Sequence, residues 1–136
     1  MDADEAREFI SKNHRAVLAT YRADGSPQLS PIAAGIDPDG MVVVSSRETA
    51  MKTKNLRRDP RASVLGLSDG WYGPWVQVDG RAAIVSLPEA MDGLVEYYRR
   101  VAGEHENWDE YRAAMEKERR VLIRIAIDRA GPNKSG

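Results

Sequence analysis

Apolar and polar positions along the chain fall into alternating stretches broken by turn residues and into a few stretches of helical period. Ala6, Phe9 and Ile10 form one apolar stripe, and Asp2 with Glu5 three residues on makes a capping box, so a helix is predicted from about Ala3 to Asn13. Arg15 to Tyr21 alternates and is β-prone, and Ala23-Asp24-Gly25-Ser26-Pro27 reads as a turn. Gln28 to Ile36 reads as one strand that Pro31 confines to an edge or a bulge. After the turn Asp37-Pro38-Asp39-Gly40, Met41 to Ser46 is a nearly continuous apolar run, the pattern of a strand buried on both faces. Thr49 to Arg58 is predicted helical and must stop at Asp59-Pro60.

Arg61 to Leu67 and Trp75 to Val85 alternate again, the second bending at Gly80. Ser86-Leu87-Pro88-Glu89 resembles a second capping box opening a helix to about Ala102, and Asn107 to Glu110 opens another to about Lys117. Val121, Ile123, Ile125 and Ile127 share one face of a last strand, with Arg124 on the other. The order predicts a mainly β protein with helices (α+β): six strands in antiparallel hairpins, a short helix after the third, and a helical pair before the last. Six long strands in so short a chain favour closure into a barrel over bare edges. Residues 1–130 are expected to form this single domain, with 131–136 a loose polar tail.

Composition narrows the chemistry. The chain has 136 residues, 42% hydrophobic and 30% charged, with a net charge of −1, which steers it to neither nucleic acid nor an anionic membrane. No apolar run approaches the roughly 20 residues needed to span a bilayer, and the acidic Met-Asp-Ala-Asp-Glu start lacks a signal-peptide pattern, so a cytoplasmic location is expected. Without cysteine there are no disulfides or thiolate ligands, and His14 and His105 alone make no multi-histidine metal site; no metal is expected.

Against that neutral background, Arg47 to Arg61 holds six basic residues and two acidic ones. A strand ends there and a helix begins, so free N–H groups and the positive end of the dipole meet side chains that suit either an anion or a solvated face. Ser45, Ser46 and Thr49 add hydroxyl donors, Arg47 a guanidinium, and Lys52 a long cation one turn inside. Lys54, Arg57 and Arg58 equally suit a solvated helix C-terminus.

The order Leu18-Ala19-Thr20-Tyr21, Asp24-Gly25-Ser26-Pro27, Pro31, Asp39-Gly40, a Val-rich strand, then Arg47-x-Thr49-x-x-Lys52-x-x-Asn55-Leu56-Arg57-Arg58-Asp59-Pro60-Arg61 resembles the pyridoxamine-phosphate-oxidase-like split β-barrel superfamily. Within it, the chain is most similar to the F420-dependent oxidoreductases of actinobacteria, the FDOR-B group. Val76-Gln77-Val78-Asp79-Gly80-Arg81-Ala82 and the closing Val121-Leu122-Ile123-Arg124-Ile125 extend the likeness over about residues 5 to 130. The resemblance implies an FMN-binding-like split barrel and a homodimer with cofactor sites at the interface. It implies a ring system along Val44, Ser45 and Ser46, a phosphate held by Arg47, Thr49 and Lys52, with Asn55 and Arg58 nearby, and Pro31, Ile32 and Trp75 bordering the ring. Trp75 also fits a simple barrel-rim aromatic.

F420 and FMN share a tricyclic ring, a ribityl chain and a phosphate. F420 adds a polycarboxylate tail, to which Lys54, Arg57, Arg58 and Arg61 could respond. The C-terminal basic cluster of the vitamin B6 oxidases is missing from Asp128-Arg129-Ala130-Gly131. The expected activity is therefore hydride transfer from reduced F420 to a small conjugated organic acceptor, with the cofactor supplying the chemistry. An FMN enzyme and a non-catalytic flavin, deazaflavin or haem carrier are the alternatives. No catalytic side chain is assigned: solvent, Tyr72 and Arg47 are all available as proton sources. Tyr97, Tyr98, Trp108 and Tyr111 read as packing aromatics.

Overall fold

A computed structural model describes the backbone of residues 1–135 and the side chains of residues 1–132. In chain order the elements are α1 (Ala3–Lys12), β1 (Arg15–Tyr21), β2 (Pro27–Ala33), β3 (Gly35–Ile36), β4 (Val42–Arg47), α2 (Met51–Arg58), β5 (Arg61–Leu67), β6 (Pro74–Ser86), α3 (Met91–Ala102), α4 (Trp108–Lys117) and β7 (Arg120–Ser135). The strands form one sheet in the order β2-β1-β5-β6-β7-β4-β3, antiparallel throughout. Its edge strands, β2 and β3, are separated in the chain by Ala34 alone, so the sheet must curl until its edges meet. Ala34 is buried at that corner: its N–H donates to the His14 carbonyl, and its own carbonyl meets His14 Nδ1 at 2.7 Å.

The curled sheet encloses an apolar lumen of Leu18, Val42, Val44, Val64, Val78, Ile123 and Ile125. Each fully buried branched side chain contributes about 1.5–3 kcal/mol relative to exposure. From α1, Ala6 and Ile10 enter this core, and Leu56 enters it from α2. Helices α3 and α4 cover the outside of β4 and β7, where Val43 and Leu122 pack with Leu94, Val95, Tyr97, Tyr111 and Met115. Double burial explains the unbroken Val42-Val43-Val44 run.

Most predicted elements form where the pattern sets them, the Asp2 and Asn107 caps included. Seven strands replace the six expected, because Gln28–Ile36 divides at Ala34 between opposite sheet edges. The box at Ser86 does not form: the Ser86 hydroxyl donates to Glu48 Oε1 (2.9 Å), and α3 opens at Met91 without a side-chain cap. Likewise α2 opens at Met51 rather than Thr49, because the Ala50 N–H turns back to the Arg47 carbonyl. The last strand runs past Ile127, and the backbone of residues 133–135 pairs with Pro74–Val76, where a loose tail is expected from 131; Gly136 lies outside the described residues.

The expected bend at Gly80 coincides with a register shift between β6 and β7. A Cβ there would sit 1.9 Å from the Ala126 carbonyl oxygen, a backbone atom that cannot yield alone. Gly80→Ala should therefore cost about 3 kcal/mol or more, read as a lowered urea midpoint with an unchanged slope.

Candidate functional site

The site is built where β4 hands over to α2. Thr53, fully buried, donates its hydroxyl to the Arg47 carbonyl (2.6 Å) and lies 2.8 Å from the Ser46 hydroxyl. This staple sets the first turn of α2 against the strand end. It also turns Ser46 inward. Nothing caps the helix by side chain and its first turn holds no acid, so its positive end is left uncompensated.

Arg47 and Arg120 face each other across β4 and β7, and both bond Glu118, at 3.3 and 2.8 Å. Arg120, with Arg47 behind it, holds the Glu118 carboxylate below its ordinary range. Lys52 joins the same cluster half-buried, with no carboxylate within ion-pair distance among the described residues. Burial, then Arg120 and Arg47, lower its pKa. A half-buried ammonium beside two guanidiniums, whose shared acid is already engaged, is short of one anion. This donor set fits a phosphate.

Beside the cluster runs the seam of the barrel. Only Gly35↔Val43 and Ile36↔Val42 pair β3 with β4. The Tyr97 hydroxyl fills the next gap, donating to the Ala33 carbonyl at 2.6 Å and hydrogen-bonded to the Ser45 main chain. Burial, partly offset by that Ser45 contact, raises the Tyr97 pKa. Pro31 is exposed on β2, and Ile32 packs against the lumen.

Ser45, Ser46, Arg47, Thr49 and Lys52 are thus gathered at one corner, with Pro31 and Ile32 across the seam and Val44 buried just below. Three predicted site residues lie elsewhere. Asn55 is 1% exposed and donates to Thr20 (3.1 Å) and Gln28 (3.3 Å), tying α2 to the first hairpin. Arg58 bonds Asn55 and the Tyr21 carbonyl, both at 2.9 Å. Trp75 lies eleven residues along β6 from Ser86, the residue level with Ser46 through Val121, or roughly 35 Å of strand.

Arg57 pairs with Glu48, and Arg61 with Asp59 while stacking on Tyr21, so these arginines do not line one groove. Tyr72 stands 73% exposed in the β5–β6 turn. Tyr98, Trp108 and Tyr111 pack with His105 at ring distances of 5.0–5.9 Å, as packing aromatics should. Sequence reasoning missed Glu118 and Arg120. Their signal is the charged run Lys117-Glu118-Arg119-Arg120 directly before a buried strand, which resembles an ordinary solvated helix end.

The family model described as pyridoxamine 5′-phosphate oxidase matches residues 3–133. A relative from Mycobacterium tuberculosis, an F420H(2)-dependent biliverdin reductase, is 33% identical over 129 residues, covering 93% of this chain and 85% of its own. Among solved structures, a conserved hypothetical protein of the same species superposes with a TM-score of 0.78 at 29% identity, covering 96% of this chain and 82% of that one. An F420 reductase superposes at 0.71 with 20% identity over 92% and 94%, a likeness of fold alone.

Lys52 makes the site testable without a cofactor. Its lowered pKa means that the charged form opposes folding in full below the folded value, and that the penalty fades as pH rises from there toward 10.5. Lys52→Met should raise stability at neutral pH by on the order of 0.5–2 kcal/mol in urea denaturation. Inorganic phosphate should stabilise the wild-type chain and not the variant; equal stabilisation of both would remove the anion seat from Lys52.

Proposed function

Because the chain belongs to the pyridoxamine 5′-phosphate oxidase family, we propose that it is an F420-dependent oxidoreductase reducing a small conjugated organic molecule. The observation that carries this reading is the half-buried Lys52 with Arg47 and Arg120, one anion short. Arg47 and Lys52, with Thr49 in the turn between them, hold the phosphate, and Val44, Ser45 and Ser46 carry the ring along the seam bordered by Pro31 and Ile32. Asn55 and Arg58 serve by fixing α2, and with it Lys52, to the first hairpin. When bound, the reduced deazaflavin supplies the hydride. The chain's own work is to orient the ring, exclude water along the seam and leave one ring face open to the acceptor. The mycobacterial biliverdin reductase makes linear tetrapyrroles the first acceptors to try.

The active form in this reading is a homodimer. Pro27, Leu29, Pro31 and Ala33 form an exposed apolar row on β2, with Leu29 65% exposed. Trp71 and Tyr72 are 81% and 73% exposed at the β5–β6 turn. A second subunit covering this face would bury that apolar row.

Separate titrations with F420, FMN and haem, followed by ring fluorescence or absorbance, test the assignment. F420 should bind in the micromolar range, and Lys52→Ala should weaken it by about 1.5–3 kcal/mol, the range for a charged hydrogen bond. Tight FMN or haem binding with no affinity for F420 would replace the reading with one of its alternatives.

A further inference from the structure

Behind the phosphate corner, on the side of α3 and α4, opens a cleft of about 570 Å³. Leu87, Pro88 and Met91 give it an apolar wall, and Arg112, Arg119 and Arg120 line the rest together with Glu48, Ser86 and Glu116. The acids around it are mostly committed. Glu48 bonds Ser86 and Arg57, and Glu118 bonds Arg47 and Arg120. Glu116 stands exposed one turn from Arg112 without bridging to it. Arg112 and Arg119 have no ion-pair partner among the described residues.

Arg119 also holds a backbone that an arginine seldom adopts, with φ at 53°. Glycine or asparagine would take that turn more readily, so the position keeps a guanidinium at some conformational cost. The turn is pinned from both sides, its N–H donating to the Glu116 carbonyl and its carbonyl accepting from the Glu48 N–H. The side chain is thereby presented at the cleft beside Arg120, which belongs both to this cleft and to the corner shared with Lys52.

We infer that this cleft binds an amphipathic organic carboxylate. Its carboxylate pairs with Arg112 and Arg119, and its apolar body lies on Leu87, Pro88 and Met91. The inference rests on the cleft alone and stands apart from the F420 reading.

Biliverdin and its dimethyl ester, which differ only in capping the two carboxylates, separate charge from shape. Binding is followed by tetrapyrrole absorbance on the full chain, with and without F420. The wild-type chain should prefer the free acid by about tenfold or more, the scale of one charge-assisted hydrogen bond. Arg112→Gln and Arg119→Asn, the latter suited to the positive φ, should each lose most of that preference while leaving affinity for the ester and for F420 unchanged. Equal binding of acid and ester by the wild-type chain would overturn the inference. So would variants that weaken F420 in place of biliverdin, because the cleft would then hold the cofactor's tail. Acid preference lost in the variants of a chain that binds no F420 would uphold the carboxylate site and sink the cofactor reading, so the two fail separately.

Discussion

Ala34 stands between two strands that lie at opposite edges of the same seven-stranded sheet. A single residue spans less than 4 Å, whereas a flat sheet of this size would hold its edges some 25–30 Å apart. Chain connectivity therefore forces the curl. The lumen, its closing helices and the seam follow from that constraint. The same constraint explains why the closure is incomplete: β3 is two residues long, so pairing with β4 stops after Val43 and the remaining edge must be satisfied otherwise. Tyr97 satisfies the next position, inserting a hydroxyl where a strand would have placed a peptide group.

The open part of the seam meets the end of β4, and there cations outnumber the acids that face them. Most of the surface cations are neutralised by neighbours: Arg57 by Glu48, Arg61 by Asp59, Arg124 by Asp37 and Asp39, Arg129 by Asp79. At the β4–α2 corner three cations share one acid, and the helix points its positive end into the same space. Holding Lys52 there opposes folding unless an anion arrives, the usual trade between stability and readiness to bind.

Helices α3 and α4 link the seam to the cleft behind it. By burying the outer faces of β4 and β7 they allow those strands to be apolar on both sides, and Tyr97 reaches from α3 into the seam. The turn that ends α4 then delivers Arg119 and Arg120 to the β4 corner, so that corner and the cleft are adjacent consequences of one packing arrangement. Asn55 and Arg58 belong to the support of this arrangement, buried or bound to the first hairpin rather than facing the corner.

Periodicity in the sequence was enough to determine most of the strands, the helices, their order and the bend at Gly80, because alternation, capping residues and prolines act over a few residues. The Arg47-to-Lys52 segment was legible for the same reason: a strand end, a helix start and a run of cations are local. The tertiary structure decided what depends on distant neighbours. Ser86 reads as a helix cap, yet Glu48, thirty-eight residues away, takes its hydroxyl. Asn55 reads as a ligand, yet Thr20 and Gln28 bury it. Arg120 reads as a solvated helix end, yet β-pairing sets it opposite Arg47. Whether a cation is neutralised or left waiting depends on which acids the fold brings within about 4 Å, and no spacing along the chain encodes that distance.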